Sequence, residues 1–448
     1  MELNEIKSIR KLEIEALAVS PFKRKAKKIK YLLRYGMPFN KFIRYALSYA
    51  FILPFVKIQT IFKRNAINEK YFEGARGGGE NTCYIAVNIG NAGIGDAIVA
   101  IRLIKDIADL IDKKDNGTGG IKGGGNTNAR PDEKIVADIF YRSPGSIEFI
   151  TSLQPSIRTV LGLFDYAYLH KFYDINLKLN TYFIKEEINK SSYMKISDKF
   201  PALLKITENI KTNQTDLEKY IKTRPFSEGI LSDTVTTMGF SRESYLNYAA
   251  GVQNHHNNRL KIELDPDIAI KFKLRGSKFI TIHDGWDENT KISGKISTKS
   301  YPPEKWMELV KLLKLKMPEF LIVQLGGLSN GSNIEGTDAN LRGKTTLKEA
   351  ASILSEAVFH IDTDSGLVHI AASLGTPCVV LFGPTNAAYC SYSENLNIAS
   401  ALCGNCWWSA DGWMNACPRG LATPECMGSI EPAEVVNGIK ERLNLWIK

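Results

Sequence analysis

The second half of the chain alternates short apolar runs with segments of helical periodicity, and this alternation constrains the fold most strongly. The runs KFITIH (278–283) and CVVLF (378–382) have the length and composition of buried strands. The intervening segments include Pro303 to Lys314, with proline in its first turn, and Ser365 to Leu374, and both are predicted to be helices. Buried strands that alternate with helices predict a parallel sheet with helices on both faces.

The first half begins with the same pattern. Cys83 to Ile89 predicts a buried strand, Asn88 to Asp96 (NIGNAGIGD) a glycine-rich turn, and Ala97 to Ile111 a helix. Two such units in one chain predict an α/β fold of two Rossmann-like domains that face a cleft. Residues 145–265 mix helical and strand patterns, and no topology is predicted for them.

The domain boundaries follow from this pattern and from the distribution of charge. The 448 residues carry a net charge of +10, yet residues 1–70 alone hold 16 Lys+Arg against 5 Asp+Glu. The rest is therefore close to neutral, which argues against a nucleic-acid-binding protein. We predict a basic helical arm over 1–75, an N-terminal Rossmann-like acceptor domain over 76–265 and a C-terminal donor-binding domain over 266–448.

The arm has two interpretations. Its most cationic part is FKRKAKKIKYLLR (22–34), and clustered Lys and Arg beside apolar residues suit an anionic membrane surface. The alternative is a solvated helix that packs on the protein body or on another subunit.

No segment of the sequence has the length and hydrophobicity of a transmembrane helix. The longest apolar run, Tyr45 to Val56, contains Pro54 and is too short to span a bilayer. Glu2 and Glu5, without a following hydrophobic core, argue against a signal peptide. These features predict a cytoplasmic protein, with peripheral attachment to the inner membrane as an extension of the membrane interpretation of the arm.

The segment Asp362 to Thr385, DTDSGLVHIAASLGTPCVVLFGPT, closely resembles the signature of glycosyltransferase family 9, the ADP-heptose heptosyltransferases. GIGDAI (93–98) and TKSYPPEKW (298–306) resemble two further blocks of that family in the same order, with Tyr301 where the family usually has Trp. The resemblance covers roughly residues 83–112 and 278–445. It implies a two-Rossmann-domain (GT-B) fold and an inverting transfer of heptose from ADP-heptose to an acceptor hydroxyl.

The resemblance also implies a donor site. A nucleotide sugar leaves behind an anionic diphosphate, and a helix that begins directly after a strand offers free N–H groups to it. Lys299 would add a full positive charge to this site. His369 either belongs to the donor site or is a purely structural residue of the helix. This arrangement requires no catalytic divalent metal, and none is expected. The expected donor-binding residues are Thr298, Lys299, Gln324, Asp364, Ser365, Gly366 and His369.

The acceptor hydroxyl needs a general base, and Asp96 matches the catalytic aspartate of the family. The alternative is that Asp96 only caps the following helix, a position that Asp favours in any protein. His283 and Asp284 follow a strand that should end at the cleft, and a place at the site or on the solvated surface fits them equally.

Four cysteines near the end of the chain have the spacing Cys403-x2-Cys406-x10-Cys417-x8-Cys426. Four thiolates suit a structural site for iron or zinc, which Trp407, Trp408 and Trp413 would shield. The alternatives are ordinary loop cysteines or a redox pair. The number and location of the cysteines, over 403–426, resemble the iron-binding finger of the autotransporter heptosyltransferases.

The acceptor is open at this stage. Lipopolysaccharide core is the commonest acceptor of the family, and autotransporter Ser/Thr hydroxyls are the rival that the cysteine finger suggests. A nucleotide-sugar epimerase, or a non-catalytic, metal-stabilised assembly module, is the alternative of another class. The expected partners are ADP-heptose, a glycolipid or protein acceptor, and an anionic membrane through residues 1–70. Nucleic acid is not expected, and a homo-oligomer is an open option.

Overall fold

The computed structural model describes residues 81–446 with gaps at 91, 113–133, 164, 181, 224–228, 255–258, 287–289, 293–294, 329–330, 410–412 and 414. The predicted basic arm (1–75) lies outside the described residues.

The first sheet has five strands in the order β3-β2-β1-β4-β5. Neighbours among the first four strands are parallel, and the edge strand β5 is antiparallel to β4. Three of these strands and their order belong to the region for which the sequence predicted no topology. The strands are β1 (Thr82–Gly90), β2 (Lys134–Tyr141), β3 (Ile157–Gly162), β4 (Ile175–Leu179) and β5 (Ile184–Ile188).

The second sheet has six strands, all parallel, in the order β10-β9-β6-β11-β12-β13. Numbered along their own segment these strands read 3-2-1-4-5-6, the doubly wound Rossmann order. The strands are β6 (Phe279–His283), β9 (Leu321–Gln324), β10 (Ala339–Asn340), β11 (His360–Thr363), β12 (Cys378–Phe382) and β13 (Leu396–Ala399); β7 (Lys291–Ile292) and β8 (Ile296–Ser297) form a separate ribbon.

Helices connect and cover the sheets. None of the helices in the described part of the chain is long and apolar enough to cross a membrane. The helices are α1 (Ile94–Asp112), α2 (Glu148–Thr151), α3 (Tyr166–Leu169), α4 (Tyr193–Lys199), α5 (Pro201–Thr223), α6 (Ile230–Thr237), α7 (Tyr245–Ala250), α8 (Ile268–Lys271), α9 (Pro303–Lys316), α10 (Leu347–Glu356), α11 (Gly366–Leu374), α12 (Ala387–Cys390), α13 (Glu425–Gly428) and α14 (Pro432–Trp446).

The second sheet is buried on both faces, which explains why its strands are continuous apolar runs. In β12 every residue is buried, but the side chains alternate between two cores because successive residues of a strand point to opposite faces. Val379 and Leu381 pack with α9 and α14 on one face. Cys378 and Val380 pack on the other face, in a core that continues through α10 and α11 into α1 of the first domain.

The predicted elements are confirmed with small differences at their ends. The apolar run from Val358 to Ile361 (VFHI) predicts a strand over those residues, but β11 runs from His360 to Thr363. Its displacement places Asp362 on the strand, where the carboxylate is fully buried. A short strand that carries three polar side chains has no clear apolar pattern, so its end is not predictable from the sequence.

Candidate active site at the two switch points

In each sheet the strand order reverses beside the first strand, between β1 and β4 in one domain and between β6 and β11 in the other. Ligands of doubly wound sheets bind at the carboxyl ends of the strands at such switch points. The GIGD segment follows β1, and the Asp364–Gly366 turn follows β11. Both sequence motifs therefore lie where the topology favours a binding site.

The two helices that begin at these switch points contact each other through their first turns. A Cβ at Gly95 would lie 2.3 Å from Cδ2 of His369, and a Cβ at Gly366 would lie 2.2 Å from Cγ2 of Ile94. Real Cβ atoms do not approach other atoms so closely, so each helix needs glycine at its contact. The glycines of the two motifs bring two helix N-termini, each with a positive dipole end, to one place.

Asp96 lies in the first turn of α1, between the two domains. Its Oδ2 accepts a hydrogen bond of 3.0 Å from the N–H of Gly93, as the third residue of a helix does in a capping box. Its Oδ1 accepts a charged hydrogen bond from the guanidinium of Arg242. The carboxylate therefore both caps its helix and forms an ion pair that a capping role does not require.

Arg242 links Asp96 to His369. A second guanidinium nitrogen lies 3.1 Å from Nε2 of His369, and Nδ1 of that ring lies 2.7 Å from the hydroxyl of Tyr392. An arginine only donates, so Nε2 is the acceptor and the ring carries its proton on Nδ1. Burial and the nearby guanidinium hold the pKa of His369 well below its usual range. Burial alone would lower the pKa of Arg242, but the facing Asp96 raises it above its ordinary value.

Lys299 and Thr298 lie between the donor turn and the cysteine segment. The ammonium of Lys299 donates to the carbonyl oxygen of Asp364 and lies 3.6 Å from its carboxylate. It also lies 4.3 Å from the ring centroid of Trp407, whose indole N–H donates to Oγ1 of Thr298 at 2.8 Å. The predicted phosphate contacts are thus brought beside the predicted donor turn, and Trp407 joins them.

A buried ionic cluster packs beneath the Asp364–Gly366 turn and contacts it through Ser365. The fully buried carboxylate of Asp362 accepts hydrogen bonds from His283 and His360, both at 3.1 Å, and from the Ser365 hydroxyl. Burial would raise the pKa of Asp362, but the two histidines hold it well below its usual range. Burial would lower the pKa of His283, but Asp362 raises it. The hydroxyl of Ser365 also accepts from the N–H of Leu367 and so caps α11.

Two further polar side chains shape the loops around the site. Asp284 is buried and accepts hydrogen bonds from the Ser300 hydroxyl at 3.0 Å and the Tyr301 N–H at 3.2 Å, which fixes the loop after Lys299. Gln324 is also buried, and its amide spans the backbone of Ser332 and Ile334. His283 and Asp284 are therefore interior residues, and the surface interpretation of both is wrong.

The four cysteines of the C-terminal segment are free thiols, of which Cys426 is buried and the others are partly buried. Burial and the neighbouring cysteines raise the pKa of Cys406 to about 11 and that of Cys426 to about 12. Within the described ranges, no three His, Cys, Asp or Glu side chains lie close enough together to hold a metal ion.

Sequence reasoning missed Arg242 and the contacts of Trp407. Arg242 belongs to the region without a readable pattern, 146 positions from its partner Asp96. From the sequence, Trp407 was predicted only to shield the cysteines. Neither motif nor periodicity carries a signal for these contacts, which arise from packing between distant segments.

Comparisons with known proteins give matches over parts of the chain. Residues 291–406 match the family model for glycosyltransferase family 9 (heptosyltransferase). Lipooligosaccharide heptosyltransferase 2 of Haemophilus influenzae is 44% identical over 50 residues, which are 11% of this chain and 14% of that protein. Lipopolysaccharide heptosyltransferase 1 of Salmonella typhimurium is 30% identical over 115 residues, which are 22% of this chain and 36% of that protein. The chain thus matches less than half the length of these relatives.

A solved structure resembles the fold of most of the chain. The iron-containing dodecameric glycosyltransferase TibC from enterotoxigenic E. coli superposes with a TM-score of 0.50 at 15% sequence identity, over 81% of this chain and 78% of that one. The likeness is one of fold. The fold is the two-Rossmann-domain, GT-B type. Over residues 291–406 the chain is similar to glycosyltransferase family 9, the heptosyltransferases.

Proposed function

We propose that the chain is an inverting glycosyltransferase that transfers heptose from ADP-heptose to an acceptor hydroxyl. The observation that carries this proposal is the contact between the helix of Asp96 and the helix that begins at Gly366. A base on one helix and a phosphate-binding N-terminus on the other are what a sugar transfer from a nucleoside diphosphate needs.

In the proposed reaction, Asp96 takes the proton of the acceptor hydroxyl as its oxygen attacks the anomeric carbon. The new glycosidic bond forms on the face opposite to the departing ADP, so the configuration inverts. The bond from the anomeric carbon to the diphosphate breaks, and its electron pair leaves with ADP. The ammonium of Lys299 and the N–H groups at the start of α11 stabilise the charge that develops there.

Arg242 has a supporting role in this proposal. It holds one oxygen of Asp96 and keeps His369 neutral through the hydrogen bond to Nε2. A neutral His369 leaves Asp96 as the ionised group beside the acceptor. Arg242 thereby orients the base without taking a proton itself.

The experiment that tests the function is release of ADP from ADP-heptose, measured with and without acceptors. ADP release that requires an acceptor supports the transferase. Conversion of the sugar nucleotide without any acceptor supports the epimerase instead. The absence of ADP binding in calorimetry contradicts both enzymes and supports the assembly module.

For the acceptor we propose lipopolysaccharide core, because the curated relatives with local similarity act on lipopolysaccharide or lipooligosaccharide by name. The rival is a Ser/Thr hydroxyl of a protein, which the four-cysteine segment favours. Mass spectrometry separates the two when ADP-heptose is offered with truncated lipopolysaccharide core in one reaction and with a Ser/Thr-rich passenger peptide in another. A mass increase of one heptose on the peptide alone contradicts the lipopolysaccharide proposal.

We propose that Cys403, Cys406, Cys417 and Cys426 hold one structural iron or zinc ion. The donor set supports this, since four soft thiolates suit either metal. Elemental analysis of protein purified without added metal should give one ion per chain, and Cys417→Ser should lose it. Cys83→Ser, a buried cysteine of β1, is the control that should keep it.

We propose, finally, that residues 1–70 attach a cytoplasmic enzyme to the anionic inner membrane surface, through their net positive charge. Co-sedimentation with vesicles of anionic and of neutral lipid tests this. Binding to anionic vesicles that is lost on removal of residues 1–70 and in high salt supports the proposal. Equal sedimentation of the full and the shortened chain contradicts it.

A further inference from the structure

Trp407 lies at the meeting point of three parts of the protein. Its indole N–H donates to Oγ1 of Thr298 at 2.8 Å, and its ring centroid lies 4.3 Å from the ammonium of Lys299. Its backbone N–H donates to the carbonyl oxygen of Pro384 at 2.9 Å, just after β12. One side chain therefore contacts both residues of the Thr298–Lys299 pair, and its backbone is fixed to the end of a central strand.

The contacts act on both members of the pair in different ways. The hydrogen bond holds the Thr298 hydroxyl, which is buried. The aromatic face attracts the ammonium of Lys299, and with the carbonyl of Asp364 it confines a long and otherwise flexible side chain to one position. A lysine that is already in position loses less conformational entropy when an anion binds.

Trp407 also directly follows Cys406 in the chain. The neighbouring Trp408 packs against the core shared by the two domains, and its carbonyl accepts from the N–H of Gly229. Both tryptophans belong to the cysteine segment, and Trp407 is the one whose side chain contacts Thr298 and Lys299.

From this geometry we infer that Trp407 is a positioning residue for the donor diphosphate: it preorganises Thr298 and Lys299 and connects the cysteine segment to the donor site. The inference rests on the proposed function, because it takes a nucleoside diphosphate as the ligand of Lys299. It adds a role for the cysteine segment in donor affinity that is separate from holding a metal.

The test is calorimetric titration of the full chain with ADP, for wild type, Trp407→Phe, Trp407→Leu and the matched control Trp408→Phe. Loss of the indole donor in Trp407→Phe should weaken ADP binding about 5-fold, the size of one neutral hydrogen bond. Trp407→Leu also loses the aromatic face and should weaken binding about 10- to 30-fold. Trp408→Phe should stay within about 2-fold of wild type.

Steady-state kinetics then separate positioning from a general structural effect. In both Trp407 variants the KM for the donor should rise by about the same factor as the Kd of ADP, while the KM for the acceptor stays within about 2-fold. Wild-type binding of ADP together with unchanged ADP affinity in the Trp407 variants overturns this inference alone. An effect of Trp408→Phe as large as that of Trp407→Leu also overturns it. If the wild type does not bind ADP, the proposed function fails, and this inference fails with it.

Discussion

Replacement of Arg242 by Met removes the guanidinium that joins Asp96 to His369, while it keeps an unbranched side chain of similar length. The side chains of Arg242 and Asp96 are 13% and 14% exposed, so their ion pair is nearly buried. Removal of one partner of a buried pair costs about 3–5 kcal/mol, because the other charge stays in the interior uncompensated. In this variant Asp96 still accepts the hydrogen bond from the Gly93 N–H and still lies at the positive end of the helix dipole. The free energy of unfolding should therefore fall by about 2–4 kcal/mol.

The assay is urea unfolding of wild type, Arg242→Met, Asp96→Asn and the double variant, followed by tryptophan fluorescence at pH 7.5. If the two side chains interact as the structure has them, the double-mutant cycle should give a coupling free energy of about 1–3 kcal/mol. Additive effects within about 0.5 kcal/mol would refute the reasoning, because the two side chains would then be independent in the free protein.

Arg242→Met should also change how the stability of the protein depends on pH. The folded protein holds the pKa of His369 well below its usual range, first through burial and then through Arg242. As the pH falls below about 6.5, the unfolded chain takes up this proton before the folded chain does, so the stability falls with decreasing pH. Arg242→Met removes the largest cause after burial, and the loss of stability between pH 6.5 and 5 should become smaller. An unchanged slope would contradict the assigned contact.

Three further changes test other parts of the site. Asp362→Asn should lower the free energy of unfolding by about 3–5 kcal/mol near neutral pH. In the wild type, the cluster should contribute most to the free energy of unfolding between about pH 4 and 6.5. The pKa of Asp362 is lowered in the folded protein, so its contribution is lost in acid, and the pKa of His283 is raised, so its contribution is lost as the pH rises. Urea unfolding across this pH range checks both. Gly95→Ala forces its Cβ against His369 and should cost about 1–3 kcal/mol by the same assay, whereas Gly145→Ala, with open space at its Cβ, should change stability by less than 1 kcal/mol. Lys299→Ala removes the full charge and should weaken ADP binding about 10- to 100-fold by calorimetry, with a flatter dependence on salt.

Local patterns were sufficient to predict the central strands and the helices that follow them. The run CVVLF is a strand over the predicted residues because burial on both faces demands an unbroken apolar run. The glycine-rich turn and the Asp364–Gly366 turn were placed correctly at strand ends, since glycine and a capping serine are local signals.

Contacts between distant segments were not predictable in the same way. The burial of His283 depends on Asp362, its partner in the parallel register between β6 and β11, and register is not readable from one short polar strand. Arg242 reaches Asp96 from a region of mixed pattern, and no local rule predicts which arginine forms an ion pair with a distant carboxylate. The cysteine spacing favoured a metal site, but the described residues bring no metal-binding group together, and the metal stays a proposal.

The most direct test of the central claim is the rate of heptose transfer by Asp96→Asn at saturating ADP-heptose and acceptor, with the Kd of ADP measured on the same protein. Asparagine keeps the size of the side chain but does not accept a proton, so kcat should fall at least about 100-fold, while the Kd of ADP changes by less than about 3-fold. A kcat within a factor of a few of the wild type, with ADP still bound, would contradict the assignment of Asp96 as the base and the mechanism built on it.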